Sequence, residues 1–292
     1  MKRRHAFTLG LGAAAVAALP AHAQTPPPVA SPRIVSVGSA LTEIVYALGA
    51  ERLLAGVDTT SLYPAAARTL PQVGYMRALS AEGVLSLKPT LVIATTAAGP
   101  AATLDQLRTT GVEVLVLPDH YDYDSVIAKI EAVGRVTGKR TEADAMIARG
   151  RADMAELTKK LATATSKPRV LFLLSMGGGA PQAAGRDTAA DGIIRLAGGT
   201  NAIDAYAGYR PLTPEAVLAS RADFVLVTRQ TVQAMGGIEA ILDPPALRRT
   251  PTGRAGKVLQ FDALLLLGFG PRTPQAAQDL ASALHPELAR AP

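Results

Sequence analysis

KRTEADAMIARGRADMAELTKKLATATSKP, residues 139–168, decides how the rest of the chain is read. Ile147, Met154 and Leu161 recur every seven residues, Leu157 fills the same stripe, and Glu156–Lys160 is a helix-favouring i,i+4 pair. Thr141 stands just ahead of Glu142 and Asp144, as at a helix start. Roughly 24 helical residues would reach about 36 Å, enough to bridge two bodies. The plain alternative is a long helix inside one domain.

On both sides of this helix, short β-branched runs alternate with helical patterns. RIVSVG (33–38), LLAGVD (53–58), TLVIAT (90–95) and VEVLVLP (112–118) read as buried strands before it, with helices over ALTEIVYALGA (40–50) and ATLDQLRTTG (102–111). After Pro168 the strand pattern restarts with RVLFLLS (169–175), FVLVT (224–228) and VLQFDALLLLGF (258–269). Continuous apolar strands separated by helices predict mostly parallel sheets covered on both faces.

A repeat favours the bridging reading. LSAEGVLSLKPTLVIATT (79–96) aligns without a gap to LTPEAVLASRADFVLVTR (212–229), pairing Leu79 with Leu212, Glu82 with Glu215 and Val92-Ile93 with Val225-Leu226. Gly74-Tyr75 precedes one copy and Gly208-Tyr209 the other, and Glu43 stands before Leu48 as Asp191 stands before Leu196. Two copies of a loop–helix–strand unit indicate pseudo-symmetric halves. The expected fold is α/β: two Rossmann-like lobes, residues 32–138 and 166–292, with mostly parallel sheets and a single long helix, 139–165, joining them. A cleft between such lobes would receive ligands at the carboxyl ends of the strands.

The chain begins as an address. Lys2, Arg3 and Arg4, an apolar run from Ala6 to Leu19 and the small-residue site Ala21-His22-Ala23 predict a cleaved export signal over 1–23, with QTPPPVAS (24–31) as a linker. Removing the signal leaves 27 basic against 24 acidic residues, a net +3 with no basic block, which gives no nucleic-acid signal. No later stretch is a membrane span; the nearest, 258–270, contains Asp262. Without cysteine there is no disulfide, thiolate metal site or lipid-anchored N-terminus, and with His5 and His22 in the signal only His120 and His285 remain. A soluble, exported protein is expected.

Chemistry concentrates in Gly74-Tyr75-Met76-Arg77. In an extended loop, side chains two apart point the same way, so Tyr75 and Arg77 could share a site. A nearby cation favours a phenolate, a hard oxygen donor suited to ferric iron and a known axial ligand of haem. The plain alternative is a packed tyrosine beside a solvated arginine. Arg210, Arg229 and Arg272 fall at loop positions and could pair with carboxylates. SMGGGAPQAAGRD (175–187) matches no phosphate-binding motif but could allow close approach of a flat ligand, ahead of a helix opened by Asp187 or Thr188. His120, without a nucleophile or second histidine, reads as a loop histidine.

The export signal, the long helix and the paired L-[ST]-x-E-x-[VL]-L segments resemble the class III periplasmic substrate-binding proteins of ABC importers over nearly all of residues 32–290. GYMRALSAEGVLSLKPTLVIA (74–94), GRDTAADGIIRLAGGTNAI (185–203) and LGFGPRTPQAA (267–277) look like the haemin-binding members of that class. The resemblance implies a non-enzymatic carrier that takes ferric haem b in the periplasm, with Tyr75 as iron ligand and Arg77 supporting its phenolate. It implies that Tyr209, Arg210 and Arg229 are second-lobe cleft residues, and Arg272, from its loop position, joins them as a ligand-binding candidate. Glu82 and Glu215 match the two glutamates with which the class docks on arginines of the permease dimer, which works with its ATPase; an outer-membrane haem receptor would stand upstream. A monomer holding one haem is expected, because Gly177-Gly178-Gly179 lacks the histidine with which some relatives hold a second. A ferric siderophore or corrinoid is the alternative cargo.

Overall fold

The computed structural model describes residues 31–175 and 181–290; the expected export signal, nearly all of the linker and Gly177–Gly179 lie outside the described residues. Ahead of the long helix, β1 (Ile34–Val37), β2 (Leu54–Val57), β3 (Leu91–Thr95) and β4 (Glu113–Leu117) form an all-parallel sheet in the order β2-β1-β3-β4. Every residue of β1 and β3 is buried, as expected for strands covered on both faces. The covering helices are α1 (Ser39–Ala47), α2 (Ala81–Leu85), α3 (Ala101–Thr109) and α4 (Tyr123–Thr137).

The long helix, α5, runs from Arg140 to Leu161. Its stripe is laid out as the spacing predicts: Ile147 and Leu157 are buried, and Met154 and Leu161 pack partly buried on the same core. It packs against α4 on one side of the chain and α13 on the other.

Beyond it, β5 (Arg169–Leu174), β6 (Gln182–Ala184), β7 (Thr200–Asn201), β8 (Tyr209–Pro211), β9 (Phe224–Thr228) and β10 (Val258–Phe261) build a six-stranded sheet. Its helices are α6 (Ala189–Leu196), α7 (Pro214–Ser220), α8 (Arg229–Met235), three short ones, α9–α11 (Ile238–Leu242, Pro245–Arg248 and Pro251–Arg254), then α12 (Ala263–Leu267) and α13 (Thr273–Leu284). This sheet is mixed: β5 is parallel to β7 and β9, but β6 runs antiparallel to both β5 and β8. The few residues between β5 and β6 allow a reversal and are too short for a parallel crossover. The apolar run 258–269 is not one element either. It divides at Asp262, whose Oδ1 accepts the Leu265 N–H at 3.0 Å and starts α12.

The repeat is structural as well as sequential. Ser80 and Thr213 cap α2 and α7, Lys88 and Arg221 both take left-handed conformations (φ 48° and 43°), and β3 and β9 follow at the same spacing. Thr90 Oγ1 accepts the Arg33 N–H at 2.9 Å, as Asp223 Oδ2 accepts that of Arg169 at 2.8 Å. Residues 32–292 nonetheless form one compact unit. A continuous apolar core runs from Ile44 and Val126 through Ile147 and Leu157 to Phe172, Ile193 and Leu280, so more than a tether joins the two sheets. Separate clusters cover the outer face of each.

Candidate functional site

The carboxyl ends of strands from both sheets open on one cleft of about 530 Å³. The first sheet contributes the start of α1 at Gly38–Ala40, the Tyr75–Arg77 stretch, Thr95 and Ala97 after β3, and Asp119 and Tyr121 after β4. Leu174, Gln182, Ala189, Tyr209, Leu267 and Gly268 close it from the second. This is where an open α/β sheet presents ligands.

Tyr75 and Arg77 are not on an extended loop, as the spacing alone suggested. Ala78 N–H donates to the Tyr75 carbonyl at 2.8 Å, making a tight turn, and Gly99 N–H pins the Met76 carbonyl at 2.9 Å. Gly74 enters the turn at φ 95°, open to glycine and strained for other residues. The turn still brings both side chains to the cleft. Tyr75 is 46% exposed. Among the described residues no hydrogen bond joins Arg77 to Tyr75.

Tyr209 comes from the matching Gly-Tyr of the second copy, but it lies on β8, paired with Ala184 of β6. It is partly buried, with its ring edge-to-face on Phe172 at 6.5 Å. Burial pushes its phenol up to about 12, and Tyr121 adds to the rise; Thr188, the Ala190 backbone and Arg77 pull the other way. Tyr121 packs edge-to-face on Phe269 at 5.4 Å. Burial raises this phenol too, Asp119 adds to the rise and Arg77 lowers it. Of the three cleft phenols, burial therefore opposes ionisation at Tyr121 and Tyr209, while Tyr75 stands half in solvent.

The other arginines are dispersed. Arg210 is exposed on β8, its guanidinium 4.7 Å over the Tyr206 ring, and Arg229 is exposed at the start of α8; neither lines the cleft. Arg272 is engaged by Glu43 of α1 through a two-pronged pair, Nε to Oε1 at 2.7 Å and Nη2 to Oε2 at 2.8 Å, and lies 3.7 Å over the Tyr63 ring. This pair ties the chain just before α13 to the first sheet's α1, and neither residue lines the cleft. Glu82 and Glu215 are exposed at equivalent positions in the first turns of α2 and α7.

Sequence reading passed over Asp119, Tyr121 and Gln182. His120 drew attention within PDHYDYD, yet it is exposed while the residues on either side line the cleft. Alternation after β4 was the available signal, since residues 119 and 121 share a side and 120 takes the other. Helix α6 is opened by Thr188, whose Oγ1 accepts the Asp191 N–H at 3.1 Å.

Among solved structures, the chain is similar to the periplasmic heme-binding protein BhuT in complex with two hemes, at 42% identity and a TM-score of 0.83 over 88% of this chain and 99% of that one. It is similar to the periplasmic heme-binding protein RhuT from Roseiflexus sp. RS-1, at 40% identity and a TM-score of 0.83, with the same coverage of both chains. A cobalamin-binding protein of Halobacterium salinarum is 25% identical over 260 residues, 87% of this chain and 69% of that protein. The periplasmic binding protein family matches residues 34–264, and the chain belongs to it.

Proposed function

We propose that this protein captures ferric haem in the periplasm and hands it to an inner-membrane ABC importer, acting as a carrier and not as an enzyme. The observation that carries this reading is the turn that sets Tyr75, half exposed, at the cleft two residues from Arg77. Among the described residues no group of three or more His, Cys, Asp or Glu could hold a metal ion. A cation met by one phenol oxygen must bring most of its coordination with it, and a porphyrin does so. The Tyr75 phenolate binds the iron, Arg77 supports that charge, and the apolar wall of Leu174, Ala189 and Leu267 receives the ring.

The cleft volume of about 530 Å³ suits one such ligand per chain, although BhuT holds two hemes. Tyr209 closes the ring pocket from the second sheet. Arg210, Arg229 and Arg272 are weaker candidates for propionate contacts because they lie outside the cleft lining. The protein is exported by its N-terminal signal, works as a monomer downstream of an outer-membrane haem receptor, and docks through Glu82 and Glu215 on the permease dimer and its ATPase. The cobalamin-binding relative makes a corrinoid the second reading.

Titration with haemin decides between them. We expect a Soret band with a high-spin ferric signature, no displacement by excess cyanocobalamin, and an affinity about a hundredfold weaker in Tyr75→Ala. An unchanged spectrum and affinity in Tyr75→Ala would refute the ligand assignment, and preferential binding of cyanocobalamin would favour the corrinoid.

A further inference from the structure

The cleft floor holds an ion pair that iron ligation leaves unexplained. Asp119 lines the cleft with its side chain 20% exposed, and its Oδ1 accepts a hydrogen bond from Lys129 Nζ at 2.8 Å. Its own N–H donates to Thr96 Oγ1 at 3.2 Å, while Oδ2 has no hydrogen-bond partner among the described residues. Lys129, in the middle of α4, is completely buried. Desolvating an ammonium is costly, and an apolar side chain of similar volume would fill the same space as well or better. The charge at 129 therefore needs a reason other than packing.

The charge balance of the cleft supplies one. Apart from Tyr75, whose phenolate is matched to the ferric core, Arg77 and Asp119 are the charged side chains among its lining residues, and they cancel. Lys129, beneath Asp119, shifts the balance to one net positive charge. Ferric haem carries one positive charge at its core and two propionates, so its net charge is negative. We propose that Lys129 sets the ligand charge accepted by the cleft, neutralising Asp119 from below so that an anionic tetrapyrrole is not repelled. Lys129 touches no ligand; it is a positioning residue acting through Asp119. This inference rests on the haem reading above and adds a charge criterion to it.

Two probes separate charge from iron ligation: haemin, and metal-free protoporphyrin IX, which has the propionates but no iron. Lys129→Met should weaken both by about tenfold, since it leaves Asp119 uncompensated beside the ligand. Asp119→Asn/Lys129→Met should return both to within about twofold of wild type, which a purely structural role for Lys129 would not do. Asp119→Asn alone keeps an acceptor for Lys129 and should tighten both by about threefold, deciding the matter even if Lys129→Met does not fold. A double variant as weak as Lys129→Met, or an Asp119→Asn chain that binds no better than wild type, overturns the proposal. Should wild type bind neither probe, the haem reading falls and takes this one with it. Should wild type bind haemin through Tyr75 while the charge variants leave affinity unmoved, only the role of Lys129 falls.

Discussion

Tyr75 and Tyr209 follow the same glycine in two copies of one sequence unit, yet their phenols face opposite chemical demands. The turn from Tyr75 to Ala78 leaves the first about half exposed, whereas pairing of β8 with β6 packs the second, partly buried, against the core. The Tyr209 consequence is measurable. Its phenol is raised to about 12 from an ordinary value of 10, so the folded state holds this proton more tightly than the unfolded chain does. Stability from this group is therefore complete below pH 10 and is lost as pH rises from about 10 to about 12, by roughly 2–3 kcal/mol. Chemical denaturation of Tyr209→Phe should show a shallower fall across that window. Identical slopes for variant and wild type would show that Tyr209 does not titrate as its burial requires.

Among the elements, α2 and α7 show how far a repeat can be read. Their capping residues, their left-handed closing residues Lys88 and Arg221, and the strands that follow are superimposable in sequence, and the structure keeps all of them. The glutamates stay exposed because each sits in a first helical turn whose buried face is given to alanine or valine: Ala81 and Val84 in α2, Val217 in α7. Such exposed charges add little to stability, which leaves them free for the docking role we propose. We expect Glu82→Lys/Glu215→Lys to keep its haemin affinity within about twofold and its thermal midpoint, while failing to stimulate the ATPase of a cognate importer in proteoliposomes. Full stimulation by that variant would remove both residues from the docking surface. Elements without a partner copy were less legible. β6, β7 and β8 are two or three residues each, too short for a periodic signal, and the helix α12 was hidden in an unbroken apolar run until Asp262 is recognised as its cap.

At the scale of the molecule, the core is the feature that the lobe picture understated. Apolar side chains of α1, α4, α5, α6 and α13 fill a single cluster between the two sheets, and the Glu43–Arg272 pair joins residues 229 positions apart. Such a shared core predicts one cooperative unfolding transition. Ile147, 6% exposed on α5, contributes to it, and Ile147→Ala should cost about 2–4 kcal/mol and lower the whole transition without splitting it. Calorimetry resolving two transitions in wild type would contradict a common core.

By itself, the amino-acid sequence determined the alternation of strands and helices, the long helix and the repeat, and it singled out the Gly-Tyr-Met-Arg stretch without its turn. These are encoded by neighbours along the chain, through side-chain period and local residue pattern. Only the tertiary structure decided which tyrosine stays near water, that Asp119 faces the cleft over a buried Lys129, and that Arg272 serves Glu43 outside the cleft lining. Those outcomes depend on burial and on pairings between distant residues, and the free energy of a phenol, carboxylate or ammonium is set by what surrounds it in space.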